Sequence, residues 1–129
     1  MKNIVIEGSQ IHDIASFYEE INRVFMQNED WKLGESLDAF SDLLYGGFGE
    51  IKGKEPLQFI WKDIDNSKGS LGVEATKAFY EEKLANPSTY NVSWAKEKLE
   101  ALENGKGQTY FDIIMEIIRE HPNIELIEK

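Results

Sequence analysis

The sequence predicts an α/β fold, a small three-stranded parallel sheet packed by helices, and three observations point to it. Short runs rich in β-branched and aromatic residues recur at residues 3–6 (NIVI), 57–61 (LQFIW) and 123–127 (NIELI). The stretches between them place apolar residues at helical spacing. Two helical stretches separate the first run from the second, and another directly precedes the third. Strands joined through helices pair in parallel across crossover connections, which are usually right-handed.

The composition bounds the rest. A length of 129 residues suits one domain, and 41% hydrophobic with 12% aromatic residues supplies a core and argues against disorder. There are 24 Asp and Glu against 14 Lys and Arg, a net charge of −10. That balance argues against a nucleic-acid partner, whose phosphates need a positive face, and suits a basic protein. Cysteine is absent, which removes disulfides, thiolate zinc sites and cysteine nucleophiles, and is compatible with a reducing compartment. No signal peptide follows the opening MKNIVIEG, and no apolar run reaches the ~18 residues of a membrane span. A cytoplasmic location without membrane attachment is expected. Asn91-Val92-Ser93 matches a glycosylation acceptor, which such a location makes fortuitous.

The elements follow in order. The first run reads as a buried strand closed by Glu7-Gly8. Asp13 is placed to cap a helix whose core face is Ile14, Phe17, Ile21, Val24 and Phe25, with Glu19, Glu20 and Arg23 toward water. His12, at its entry, reads as a turn residue. Residues 31–48 hold a second, short helix between Ser36 as N-cap and Gly46-Gly47 as stop. Leu37, Phe40, Leu43 and Leu44 fall on its core side. Glu35, just before the helix, then Asp38 and Asp42 fall opposite, with Tyr45 beside them. Asp38 and Asp42 are four apart, a repulsion of about 0.2–0.5 kcal/mol in an isolated helix. This acidic stripe is either a solvated face or a surface for a cationic partner.

After the second strand, which Pro56 precedes at its edge, residues 62–72 are polar and read as a short helical turn. DIDNSKG lacks the spacing and terminal glutamate of a calcium loop. Residues 73–85 and 93–103 follow as two less apolar helices. Val73, Ala75, Phe79 and Leu84 are the contacts of the former, and Asn86-Pro87-Ser88 breaks it. Ser93 caps the latter, and Trp94 with Leu99 or Leu102 anchors it. They form an appended layer or an insertion. A turn at 104–107 leads to Thr109 as cap of the most apolar helix, with Tyr110, Phe111, Ile113, Ile114, Ile117 and Ile118 around it. Asp112, Glu116, Arg119 and Glu120 keep a narrow polar stripe, and Pro122 ends the helix. His121 reads as its C-terminal cap.

Little catalytic chemistry is spelled out. There is no phosphate loop, no metal-spaced cluster and no GxSxG, and the two histidines sit at opposite ends. A carboxylate site from Asp38, Asp42, Glu116 and Glu120, including a metal-dependent hydrolase built on Asp38 and Asp42, is conceivable. Carboxylates on open helix faces, however, lack the burial a general acid needs. No catalytic residue, metal or cofactor is expected.

Several pieces in order carry a resemblance: IVIEGSQI before a helix, GESLDAFSDLLYGG, PLQFIW, and GQTYFDIIMEIIREHPNIELI. Together they are similar to the barstar family, intracellular inhibitors of the ribonuclease barnase, over about two thirds of the chain. LDA-x-x-D is the specific part. Residues 65–106 have no counterpart in short family members and count as a helical insertion before the last helix of a single barstar-like domain, 1–129.

The resemblance implies a non-enzymatic role. In that family an acidic helix plugs the active site of a basic ribonuclease, one to one, and its carboxylates stand in for RNA phosphates. Asp42 matches the family's central aspartate, Asp38 the aspartate one turn earlier, and Gly34 the glycine before the helix. Glu116 and Glu120 match acidic positions on the last helix. Trp31, Glu35, Tyr45 and Phe48 complete the expected contact set. Lys32 and Leu33 stand where the family has two tyrosines. Ser41 and Gly47 stand where it has tryptophans, with Phe48 as a substitute for the second. A variant of this expectation is an immunity or binding module of the same fold for a different basic toxin nuclease, with the insertion supplying specificity.

Overall fold

The computed structural model describes residues 1–86 and 92–129. Pro87, Ser88 and Asn91, which carry the break after the fourth helix and the glycosylation match, lie outside the described residues. Strands β1 (Lys2–Glu7), β2 (Leu57–Lys62) and β3 (Ile124–Glu128) form the expected sheet in the order β1–β2–β3. Both pairings are parallel: Leu57 lies opposite Lys2 on one side and Ile124 on the other. Ile4 and Ile6, then Leu57, Phe59 and Trp61, are buried, while Val5 and Ile60 between them are half-buried. The first run therefore buries one face only, because the core lies on one side of the sheet.

Helix α1 (Ile14–Phe25) starts with a reciprocal cap: the Asp13 carboxylate accepts from the Ser16 N–H at 2.7 Å, and Ser16 Oγ accepts from the Asp13 N–H at 2.9 Å. These bonds hold the Asp13 carboxyl below its ordinary pKa. Phe17, Ile21 and Phe25 are fully buried, as their spacing predicts. Glu20 is not toward water. It is 3% exposed, accepts the Glu7 N–H at 2.7 Å and is held by Arg23 through two bonds of 2.8 and 2.7 Å. A carboxylate is buried here because the end of β1 supplies a donor and Arg23 a bidentate countercharge.

Helices α2 (Leu37–Leu44), α3 (Ile64–Ser70), α4 (Val73–Leu84), α5 (Val92–Glu103) and α6 (Tyr110–Arg119), with a single 3-10 turn at Gly8–Gln10, complete the described elements. The polar stretch after β2 is a helix of the main core. Ser67 on α3 accepts from the Trp61 indole at 2.9 Å, and Asn66 donates to Gly8 O and Ile11 O. A Cβ at Gly8 would lie 2.3 Å from Lys62 O, so the first turn needs glycine for this close approach.

Helices α4 and α5 pack on each other around Tyr80, Ala95 and Leu102, a cluster separate from the main core. The expected contacts shift. Val73 is exposed, and Thr76 is buried on α4 instead, donating to Gly72 O while accepting the Tyr110 N–H at 2.8 Å. Trp94 is 41% exposed, with its ring edge-on to Tyr80, while Ala95 and Leu102 are buried and anchor α5, and Ser93 lies inside the helix. Its end is a Schellman turn: the Gly105 N–H bonds Leu102 O and the Lys106 N–H bonds Ala101 O, with Gly105 at φ +72. Thr109 caps α6 as expected, and Tyr18 on α1 meets Tyr110 on α6 through a buried O···O bond of 2.6 Å. Burial pushes the Tyr110 hydroxyl up to about 12.

Candidate protein-interaction face

The face is built on α2. Ser36 Oγ accepts the Ala39 N–H at 3.3 Å and opens the helix. Phe40, Leu43 and Leu44 are buried and Leu37 is half-buried, so the 3.6-residue period turns Asp38 and Asp42 outward. Among the described residues no cation pairs with either carboxylate. The helix stops after two turns. Gly46 takes φ +83, its N–H bonds Leu43 O, and a Cβ there would sit 2.4 Å from the Gly53 backbone. Tyr45 is left 60% exposed at the C-terminal end.

The approach to α2 is clamped. Asn22 on α1 accepts the Leu33 N–H at 2.7 Å and donates to Leu33 O at 3.2 Å. Leu33 is buried, so it presents no surface where the family carries tyrosine; Lys32 and Gly34 beside it are exposed. A Cβ at Gly34 would touch nothing, so no steric demand of the fold accounts for that glycine. Trp31, 45% exposed, lies against Phe48 with ring centroids 4.9 Å apart. The loop that carries Phe48 is tied back, because the Gly49 N–H bonds Glu29 and the Glu50 N–H bonds Phe25 O. Asn22 escapes a sequence reading: its one signal is an amide at the edge of an apolar stripe.

Helix α6 packs beside α2. Glu116 and Glu120 are exposed on it and border a groove of about 560 Å³ that also touches Leu37, the first residue of α2. Gln108 donates to Glu116 at 2.6 Å. His121 does not cap α6, since Glu120 holds that position. The imidazole is 5% exposed, with its ring edge-on to Tyr45 at 4.6 Å, so it links the ends of α2 and α6. Its Nε2 has no hydrogen-bond partner among the described residues, and burial holds its pKa below the ordinary histidine value, with Glu120 pulling the other way. Glu35 is exposed but borders a separate depression between the start of α1 and α4. The structure thus gathers Asp38, Asp42 and Tyr45 on and at the end of α2, with Glu116 and Glu120 on the neighbouring α6, pairs Trp31 with Phe48 in the loops before and after α2, and sets Glu35 apart.

Such a face can accept guanidinium or ammonium groups, and planar guanidinium binds carboxylates through paired bonds. No group of three or more potential metal ligands occurs among the described residues, and no described helix is long and apolar enough to cross a membrane. The model of the barstar family, described as barnase inhibitor, matches residues 1–82. The match runs from β1 through most of α4 and contains the whole of α2; α5, α6 and β3 lie beyond it. No curated protein matches the chain. With more than half of its 129 residues matched in one run, and with α2 inside that run, the chain belongs to the barstar family.

Proposed function

We propose that the protein inhibits a secreted, basic, barnase-like ribonuclease in a 1:1 complex, by laying the acidic face of α2 over the enzyme's active site. In this reading it acts in the cytoplasm, protects the cell that makes the enzyme, and functions as one barstar-like domain spanning residues 1–129. The observation that carries it is the pair Asp38 and Asp42: exposed, unpaired among the described residues, and inside the segment the family model matches. The pair costs the free helix a little stability, and a partner's guanidinium groups supply the missing counterions. Trp31 and Phe48, Gly34, Tyr45, Glu116 and Glu120 form the surrounding contacts, and Glu35 the outer edge.

The test is a ribonuclease assay with barnase. Stoichiometric inhibition is expected, and Asp42→Ala should weaken binding by about 2–5 kcal/mol or more, the general range for truncating one partner of a buried charge pair, which barnase with its own inhibitor exceeds at its strongest pair. The variant should melt no lower than the parent, since it relieves the repulsion along α2. Tight inhibition by Asp42→Ala would remove the mechanism. One observation favours a different toxin nuclease as partner: exposed Lys32 and buried Leu33 alter the loop before α2. Inhibition of that nuclease but not of barnase would select this second reading.

A further inference from the structure

Helices α4 and α5 form a hairpin that leaves the acidic face of α2 open and builds a wall beside it. One bond fastens the hairpin to the start of α6, from the Tyr110 N–H to Thr76 Oγ1 at 2.8 Å, and beside it the Phe111 N–H bonds Leu71 O, at the end of α3, at 3.1 Å. The groove of about 560 Å³ runs between hairpin and α6. Leu37, Phe79 and Ile117, all half-buried, supply its apolar lining. Glu116 and Glu120 on α6 supply negative charge. Lys98 on α5 and Lys106 in the turn after it supply positive charge, and among the described residues neither lysine pairs with a carboxylate.

We propose that this groove receives a surface loop of the same ribonuclease that α2 binds, with an acidic side chain opposite Lys98 and Lys106, a basic one opposite Glu116 and Glu120, and an apolar one between. The proposal rests on the inhibitor reading above. Two observations select this occupant. The groove adjoins the acidic face, because Leu37 at the start of α2 lines it together with Glu116 and Glu120, the carboxylates of α6 beside that helix. The second is charge. Two unpaired lysines beside a face that seeks a basic protein repel that protein, unless it brings a carboxylate to meet them. A second copy of this chain, at net −10 against −10, is opposed by its own field. The hairpin thereby selects among basic nucleases, all of which the acidic face attracts.

Barnase is the probe, titrated into the isotope-labelled full chain. The amides of Asp38 and Asp42 report α2, and those of Ala101 and Gly107 report the groove. Shifts at both sites support the proposal. Shifts at α2 alone overturn it and leave the inhibitor reading standing. Shifts at neither site overturn that reading and the proposal with it, and shifts at the groove alone overturn the proposal that one enzyme meets both. The double variant Lys98→Glu with Lys106→Glu decides by sign. Both side chains are exposed, so the melting temperature should hold. A more negative chain attracts a basic enzyme more strongly, so with no acid in the groove the variant binds barnase more tightly than the parent. With the proposed loop in place it binds about tenfold more weakly or worse.

Discussion

Asn22 and His121 work at the scale of single residues, and both support the candidate face from behind. Asn22 makes two bonds to the Leu33 backbone, one residue before exposed Gly34. Asn22→Ala removes both and leaves a half-buried N–H to find water, a cost of about 1–3 kcal/mol. Inhibition should weaken as well, although Asn22 lies behind the loop; an unchanged inhibition constant would show that the loop holds its shape without the clamp. His121 gives a pH dependence. Its folded pKa lies below the unfolded value of about 6.5, so between the two the unfolded chain binds more protons. Stability is therefore full above that unfolded value and falls as pH drops through it toward the folded pKa. His121→Phe keeps an aromatic ring against Tyr45 and removes the titration. Between pH of about 7.5 and about 5.5 the parent should lose more melting temperature than the variant. Equal losses would mean that this imidazole titrates as it does in the unfolded chain.

At the scale of elements, α2 depends on how it ends. Gly46 sits at φ +83, and an added Cβ meets the Gly53 backbone at 2.4 Å, which cannot swing aside as a side chain could. Gly46→Ala should cost about 2–4 kcal/mol, from left-handed strain plus the clash. Gly47→Ala, whose Cβ meets nothing, should stay within about 0.5 kcal/mol. Urea unfolding of the two variants checks the contrast, and equal midpoints would move the stop signal elsewhere. This end was legible in the sequence because glycine takes that conformation at no steric cost. The caps Asp13, Ser36 and Thr109 were legible for a similar reason, since each satisfies donors of its own helix. The parallel sheet followed from three apolar runs, and Asp38 and Asp42 from the helical period. What could not be read depended on a second element. Glu20 is buried by a donor on β1, Thr76 is buried by the start of α6, and His121 is turned inward onto Tyr45. Glu35 lies before the helix, where the period no longer fixes a direction, and it ends beside α4.

The whole molecule acts through its charge. A net charge of −10 on 129 residues surrounds the face on α2 with a negative field, whereas the contacts proposed for Asp38 and Asp42 would act only once a partner is in place. Salt separates the two contributions. Raising ionic strength from about 0.01 M to about 0.15 M shortens the screening length from about 30 Å to about 8 Å. The field then no longer reaches an approaching enzyme, while a closed interface keeps its short-range pairs. The association rate constant with barnase should fall by about 10–100-fold, a range typical of charge-steered pairs, barnase with its own inhibitor among them. The dissociation rate constant should change far less. Asp42→Ala should reverse that pattern, with a large rise in dissociation and a small drop in association, because it removes one charge of the field and the central pair of the proposed interface. Stopped-flow mixing at the two salt concentrations measures both constants. If salt acted chiefly on dissociation, the complex would be held by solvent-exposed pairs, and α2 would lie at the rim of the interface with its carboxylates still in water.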